Sequence, residues 1–268
     1  MRTTREPHQS LPFPPLQRQM IDWLELMARR HMVHALIELE VTETRRAIRA
    51  ARVSAGAPLS LTAYIIACLA RAIDENRLMH AYRRGRRLVL FDDVDATTLI
   101  ERRVDGKPVP IPHIIRAANR RSAWAIQREI DEARVAPPLT DRQSRWLPWW
   151  LILPASLRRL VWSRLLGDPF RRKRLTGTTA VTAVGMFGSG TGWGIPLTPY
   201  TLCLTLGGVA REHAADGTQR EYLCATLSVD HDLIDGAPLA RFIHRLQTLV
   251  EGGALLATEM PPDAGADK

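Results

Sequence analysis

His231 and Asp235 stand four residues apart in the run Leu227-Ser-Val-Asp-His-Asp-Leu-Ile-Asp-Gly236. An imidazole titrates near neutrality and can take a proton from a thiol, an alcohol or water, and a carboxylate close by can hold it in one rotamer. The same two residues could ligate a metal, but a third ligand is then needed and only Asp230 and Asp232 are near, so proton transfer is the better reading. Upstream, Leu223, Ala225, Leu227 and Val229 alternate with Tyr222, Cys224, Thr226 and Ser228, the period-two pattern of a strand that should stop near Asp230. Downstream, Gly236 permits a sharp turn, and Leu239, Phe242, Ile243, Leu246, Leu249 and Val250 recur at helical spacing until Gly252. The pair therefore belongs to a strand-to-helix connection, where side chains can face a cleft.

Other residues that could do chemistry point elsewhere. Gly185-Met-Phe-Gly-Ser-Gly-Thr-Gly-Trp-Gly194 follows a strand, but it lacks the spacing and the lysine of a phosphate loop, and Pro196 and Pro199 forbid the helix that should follow. It reads as a closely packed turn beside a site. Cys68, Cys203 and Cys224 lie far apart inside apolar segments and read as reduced core residues. His34 lies on a strand and reads as a satisfied structural histidine.

The elements around these residues suit one folded unit. With 268 residues and 46% hydrophobic content the chain can bury a substantial core. Prolines mark residues 1–15 as a mobile tail, 259–268 reads as another, and 16–258 is the expected domain. Helices are expected from Leu16 to His31, from Leu61 to Asn76 behind a Ser60 cap, and after a Ser122 cap. Strands are expected at His34–Val41, Thr178–Val184 and Leu202–Val209, with two short ones between Arg86 and Ile100. Strands and helices in this mixed order favour an α+β layered sheet. No apolar run approaches the roughly 18 residues of a membrane span and no h-region follows Met1, so a cytoplasmic location and no transmembrane segment are expected.

The charge is local. Of a formal net +9, the segment 139–176 supplies +7, with nine Arg or Lys against Asp141 and Asp168, so nucleic acid is not an expected partner. Trp146, Trp149, Trp150 and Trp162 fall in the same insertion. It has three destinations: folding back on its own domain, subunit contact, or interfacial contact of residues 146–174 with a membrane or anionic ligand.

Asp230-His-Asp-Leu-Ile-Asp-Gly236 resembles the Asp-His-x-x-x-Asp-Gly motif of the dihydrolipoamide acyltransferase catalytic domains of 2-oxoacid dehydrogenase complexes, within the chloramphenicol acetyltransferase-like superfamily. Thr178-Thr-Ala-Val-Thr-Ala-Val-Gly-Met-Phe-Gly188 is similar to that family's Gly-Thr-Phe-Thr-Ile-Ser-Asn-Leu-Gly-Met-Phe-Gly, and Ile111 to Asn119 and Ser60 to Ile73 resemble further segments in the family's order. The resemblance implies a two-layer sandwich of a mixed sheet covered by helices, and a coenzyme A-dependent acyltransferase. It makes His231 the general base, Thr182 the oxyanion donor in place of a serine, and Asp235 an anchor of the loop through buried hydrogen bonds or an ion pair. It also implies a homotrimer, or a multiple of one, with the site between subunits.

Two departures accompany it. The family usually has arginine after the histidine, where this chain has Asp232, and no lipoyl domain or lipoyl-lysine precedes Leu16. The expected substrates are therefore acyl-coenzyme A and a small acceptor, or a lipoyl protein acting in trans, with no metal. The alternative is a non-catalytic scaffold that keeps the trimeric fold and binds a partner through the Trp/Arg segment.

Overall fold

The computed structural model describes residues 9–13, 15–104, 107–136, 147–183, 191–213, 217–253 and 255–256. Helix α1 (Pro15–Met27) leads into β1 (Met32–Glu40), α2 (Thr42–Ala55) and α3 (Leu61–Glu75). Two short strands, β2 (Tyr82–Arg84) and β3 (Arg87–Val89), pair with each other, and β4 (Ala96–Val104), β5 (Lys107–Ile115) and α4 (Ala123–Val135) follow. Three helices, α5 (Leu147–Ile152), α6 (Ala155–Gly167) and α7 (Pro169–Thr176), then lead to β6 (Thr179–Ala183), β7 (Leu202–His213), β8 (Gln219–Asp230) and α8 (Gly236–Glu251).

Six strands form one mixed sheet in the order β1-β8-β7-β6-β4-β5, with β6 parallel to both neighbours and the other pairs antiparallel. Its two faces differ because residues paired across strands share a face. Val181, Leu204 and Leu227 lie on the face covered by α3, α4 and α8, whose Ile65, Leu69, Ile126, Phe242 and Leu246 complete the main core. Thr182, Thr205 and Thr226 lie on the other face, as do Cys203 and Ser228. The α+β class and the layered mixed sheet are those expected.

Local chemistry accounts for the elements. Ser60 and Ser122 accept from the amides of Ala63 and Ala125 at 3.1 Å, the caps expected of them. Pro108, Pro110 and Pro112 sit in β5, an outermost strand, where a missing N–H leaves no ladder bond broken. Helix α2 was not expected; its apolar positions are few and its Ile48 alone among the large ones is buried. Helix α1 ends at Met27 rather than His31, which frees Arg30 and His31 to reach the end of β8.

The insertion folds back on the N-terminal helix. Arg158 of α6 donates to Asp22 of α1 at 2.6 Å with both side chains buried, and Arg159 bridges Asp22 and Glu25. Trp162 stacks edge-on against Trp23 and Trp150, with ring centroids 5.3 and 6.1 Å away. Trp149, Ile152, Leu157 and Leu160 are left exposed on α5 and α6. Trp146, residues 185–190 of the glycine run and most of both expected tails lie outside the described residues.

Candidate active site

Strand β8 ends at Asp230, and the chain reverses over His231–Leu233 as the Asp230 carbonyl accepts from the amides of Leu233 and Ile234. The turn is thus made before Gly236, which is the first residue of α8 with a helical neighbourhood, while Asp235 occupies the N-cap in an extended conformation. His231 emerges at the very end of the sheet with its side chain exposed. Its amide donates to the His31 carbonyl at 2.8 Å, so the residue that leads into β1 fixes the backbone from which the imidazole projects.

The residues that brace this turn are Arg30, His31 and Asp230. Arg30 Nη1 donates to the Tyr200 carbonyl at 2.9 Å and lies 3.3 Å from the buried Asp230 carboxylate, whose other oxygen accepts from the Asp232 amide. Burial pulls the Arg30 guanidinium down to about 10, with the nearby Arg172 charge adding to the effect and Asp230 opposing it. Asp232 pairs with His31, Oδ1 to Nδ1 at 2.9 Å, which holds the His31 imidazole above its ordinary value and the Asp232 carboxyl below its own. The charge reversal at Asp232 therefore has a local partner. Sequence alone did not reveal the bracing set, because it depends on β1 pairing with β8 across 200 residues of chain.

Asp235 is exposed in the single chain and makes no side-chain bond to its own helix's amides. Thr182 lies half-buried on β6, next to Thr205 of β7, which in turn faces Thr226 of β8. His231 is five residues beyond Thr226 and two strands from Thr182, so at about 3.3 Å per residue and about 4.8 Å per strand the two Cα atoms are roughly 19 Å apart. Within one chain His231 and Asp235 are neighbours, and Thr182 is not in reach of either.

The polar face holding Thr182 is partly roofed. Residues 191–193 cross β7 where Gly207 and Gly208 interrupt its register, the Gly208 amide donates to the Gly192 carbonyl at 3.2 Å, and a Cβ on Gly207 would lie 1.9 Å from that carbonyl oxygen. Trp193 Nε1 donates to the Ile37 carbonyl on the outer strand. His34 bonds Ser228 Oγ through Nδ1 at 2.8 Å, the satisfied histidine expected. Cys68, Cys203 and Cys224 are buried and form no disulfide among the described residues. Among the described residues no cluster of three or more His, Cys, Asp or Glu is placed to hold a metal, and no helix is long and apolar enough to cross a membrane.

A mixed sheet with helices on one face, a histidine at the end of an antiparallel strand and a hydroxyl on the parallel one define the layered acyltransferase class of fold that the motifs resemble. Residues 170–258 match the family model of the 2-oxoacid dehydrogenases acyltransferase (catalytic domain), a segment that contains Thr182, His231 and Asp235. Across nearly the whole chain the fold is similar to that of a probable dihydrolipoamide acetyltransferase from Listeria monocytogenes 4b F2365, with a TM-score of 0.68, 18% identity, and 94% of this chain and 98% of that one covered. A truncated catalytic core of the 2-oxoacid dehydrogenase multienzyme complex from Thermoplasma acidophilum gives 0.64 at 20% identity, covering 92% and 99%. Azotobacter vinelandii dihydrolipoamide acetyltransferase (E2p), described for the role of a serine, a histidine and an asparagine in its catalytic mechanism, gives 0.66 at 18%, covering 95% and 96%. No curated protein matches in sequence.

Proposed function

We propose that this chain is an acyltransferase that moves an acyl group between coenzyme A and a thiol or other small acceptor, working at an interface between its own copies. The observation that carries the reading is the exposed His231 imidazole on a turn held from both sides, within a segment that matches an acyltransferase catalytic domain. The histidine and asparagine of the Azotobacter protein stand four residues apart, as His231 and Asp235 do here.

In this reaction His231 takes the proton of the attacking thiol, and the thiolate adds to the carbonyl carbon of the acyl thioester. The carbonyl oxygen becomes an oxyanion that the Thr182 hydroxyl stabilises, a role worth roughly 3 to 4 kcal/mol where it has been measured by deletion. Collapse expels the other sulfur as thiolate, which recovers the proton from His231. Because His231 and Thr182 of one chain are roughly 19 Å apart, a homotrimer in which one copy supplies the base and the next the hydroxyl is the arrangement that unites them.

His231→Ala should abolish transfer from acyl-coenzyme A to a panel of thiol, amine and alcohol acceptors, with thermal stability unchanged because the side chain is exposed. Wild-type transfer that survives the substitution would refute the catalytic assignment. The scaffold alternative predicts no heat of coenzyme A binding at millimolar ligand; the exposed Trp149, Ile152, Leu157 and Leu160 give it a surface to use.

A further inference from the structure

Helix α6 has two sides with different uses. At about 100° per residue its exposed positions, Ser156, Leu157, Leu160, Ser163, Arg164 and Gly167, fall in one sector about 120° wide that contains no carboxylate. The opposite side holds Arg158 and Trp162, which tie α6 to Asp22 and Trp23 of α1. The outward sector is therefore held in place by contacts in which it takes no part. Helix α5 is joined to α6 by Leu153 and Pro154 alone, and its Trp149 and Ile152 are 71% and 73% exposed. Four large apolar side chains thus stand open to solvent between positions 149 and 160, a density that marks contact with something outside the chain.

Charge selects the partner. Residues 147–176 carry seven Arg or Lys against Asp168 alone, and Arg164, inside the open sector, has no carboxylate partner among the described residues. Two copies meeting through this face would set like charges against each other, and the chain outside 139–176 is itself net positive, so a second copy is a poor occupant. An anionic lipid surface suits it better, because it needs no shaped groove. Such a surface takes apolar side chains below its headgroups, indole rings at headgroup level and arginines against its phosphates. We infer that the outward face of α5 and α6 docks this protein on anionic lipid bilayers, with Trp149, Ile152, Leu157 and Leu160 entering the headgroup boundary and Arg164 lying against lipid phosphate. The contact is peripheral, since no described helix is long and apolar enough to cross a membrane. It goes beyond the acyltransferase reading and does not depend on it.

The test is sedimentation of the full chain with vesicles of phosphatidylcholine alone and of phosphatidylcholine mixed with phosphatidylglycerol, at low and high salt. The expected result is binding to the anionic vesicles only, weakened by salt. Leu157→Ser/Leu160→Ser should bind about tenfold more weakly and Arg164→Gln about fivefold, with Tm unchanged because these side chains are exposed. Val53→Ser on α2, an exposed apolar residue away from this face, should bind as wild type. Quenching of tryptophan fluorescence by lipids brominated in their chains should fall in Trp149→Phe. No binding to anionic vesicles at low salt, or equal binding to neutral ones, would overturn the inference. So would wild-type affinity in the leucine pair or in Arg164→Gln, or a loss seen instead in Arg84→Gln/Arg86→Gln on the exposed β2–β3 hairpin, the competing basic surface.

Discussion

Removing Arg30 tests how the candidate base is held. Its guanidinium is pulled down to about 10, so burial, with the nearby Arg172 charge adding to it, outweighs the attraction of Asp230 and Asp232 by about 3 kcal/mol at roughly 1.4 kcal/mol per pH unit. The pair with Asp230 is therefore not present for net stability of its own. Arg30→Met relieves that burden but leaves a carboxylate, whose side chain is only 7% exposed, with the Asp232 amide as its remaining partner among the bonds described above. Breaking a buried pair from one side typically costs about 3 to 5 kcal/mol, whereas replacing both members with neutral groups is often tolerated. Arg30→Met should thus lower the unfolding temperature by on the order of 10 °C, and Arg30→Met/Asp230→Asn should recover most of the loss, since an asparagine oxygen can still accept from the Asp232 amide. Urea denaturation of wild type and the single and double variants measures this cycle. A single variant as stable as wild type, or a double variant no better than the single, would refute the account of Asp230 as a buried charge that Arg30 exists to match.

His80 is wholly buried between Thr178 and the Phe91 carbonyl, and burial pushes it down to about 4. Between pH 6.5 and about 4 the unfolded chain binds a proton that the fold does not, so stability present above pH 6.5 is lost as pH falls through that window, by up to about 3 kcal/mol; His80→Gln should flatten the slope seen in denaturation at pH 7, 5.5 and 4.5. The raised His31 value makes its pair with Asp232 contribute below the ordinary histidine range and fade as pH rises through the raised value; NMR titration should show His31 returning toward its ordinary value in Asp232→Asn. Gly207→Ala would set a Cβ against the Gly192 carbonyl, so residues 191–193 should lift off β7, read as new proteolytic cleavage there and a Tm several degrees lower.

What was legible in the sequence is what is encoded locally. The alternation that ends at Asp230, the caps at Ser60 and Ser122 and the four-residue spacing on α3 each state their own geometry, and the motifs around His231 and Thr182 point to a fold class that the structure shares. The bracing of His231 was not legible. Arg30 and His31 read as the polar end of α1, and nothing in their spacing says that β1 lies antiparallel to β8 with Met32 opposite Asp230. Asp232 looked like an isolated charge reversal for the same reason. That Thr182, Thr205 and Thr226 share a face was also hidden, because it follows only once three strand registers are known.

The Trp/Arg segment gains a mechanical meaning from its position. One end of it grips α1 through Asp22, Arg158, Trp23 and Trp162, and α1 runs directly into the Arg30 and His31 that brace His231. Its other end, α7, runs into the strand that carries Thr182. That junction is tightly tied: Arg116 donates to the Lys173 and Arg174 carbonyls, Thr97 and Tyr200 both donate to the Thr176 carbonyl, and Gly177 adopts φ +77° where a Cβ would meet the Asp95 carbonyl at 2.7 Å. The insertion thus spans from the support of the candidate base to the root of the candidate donor in one chain.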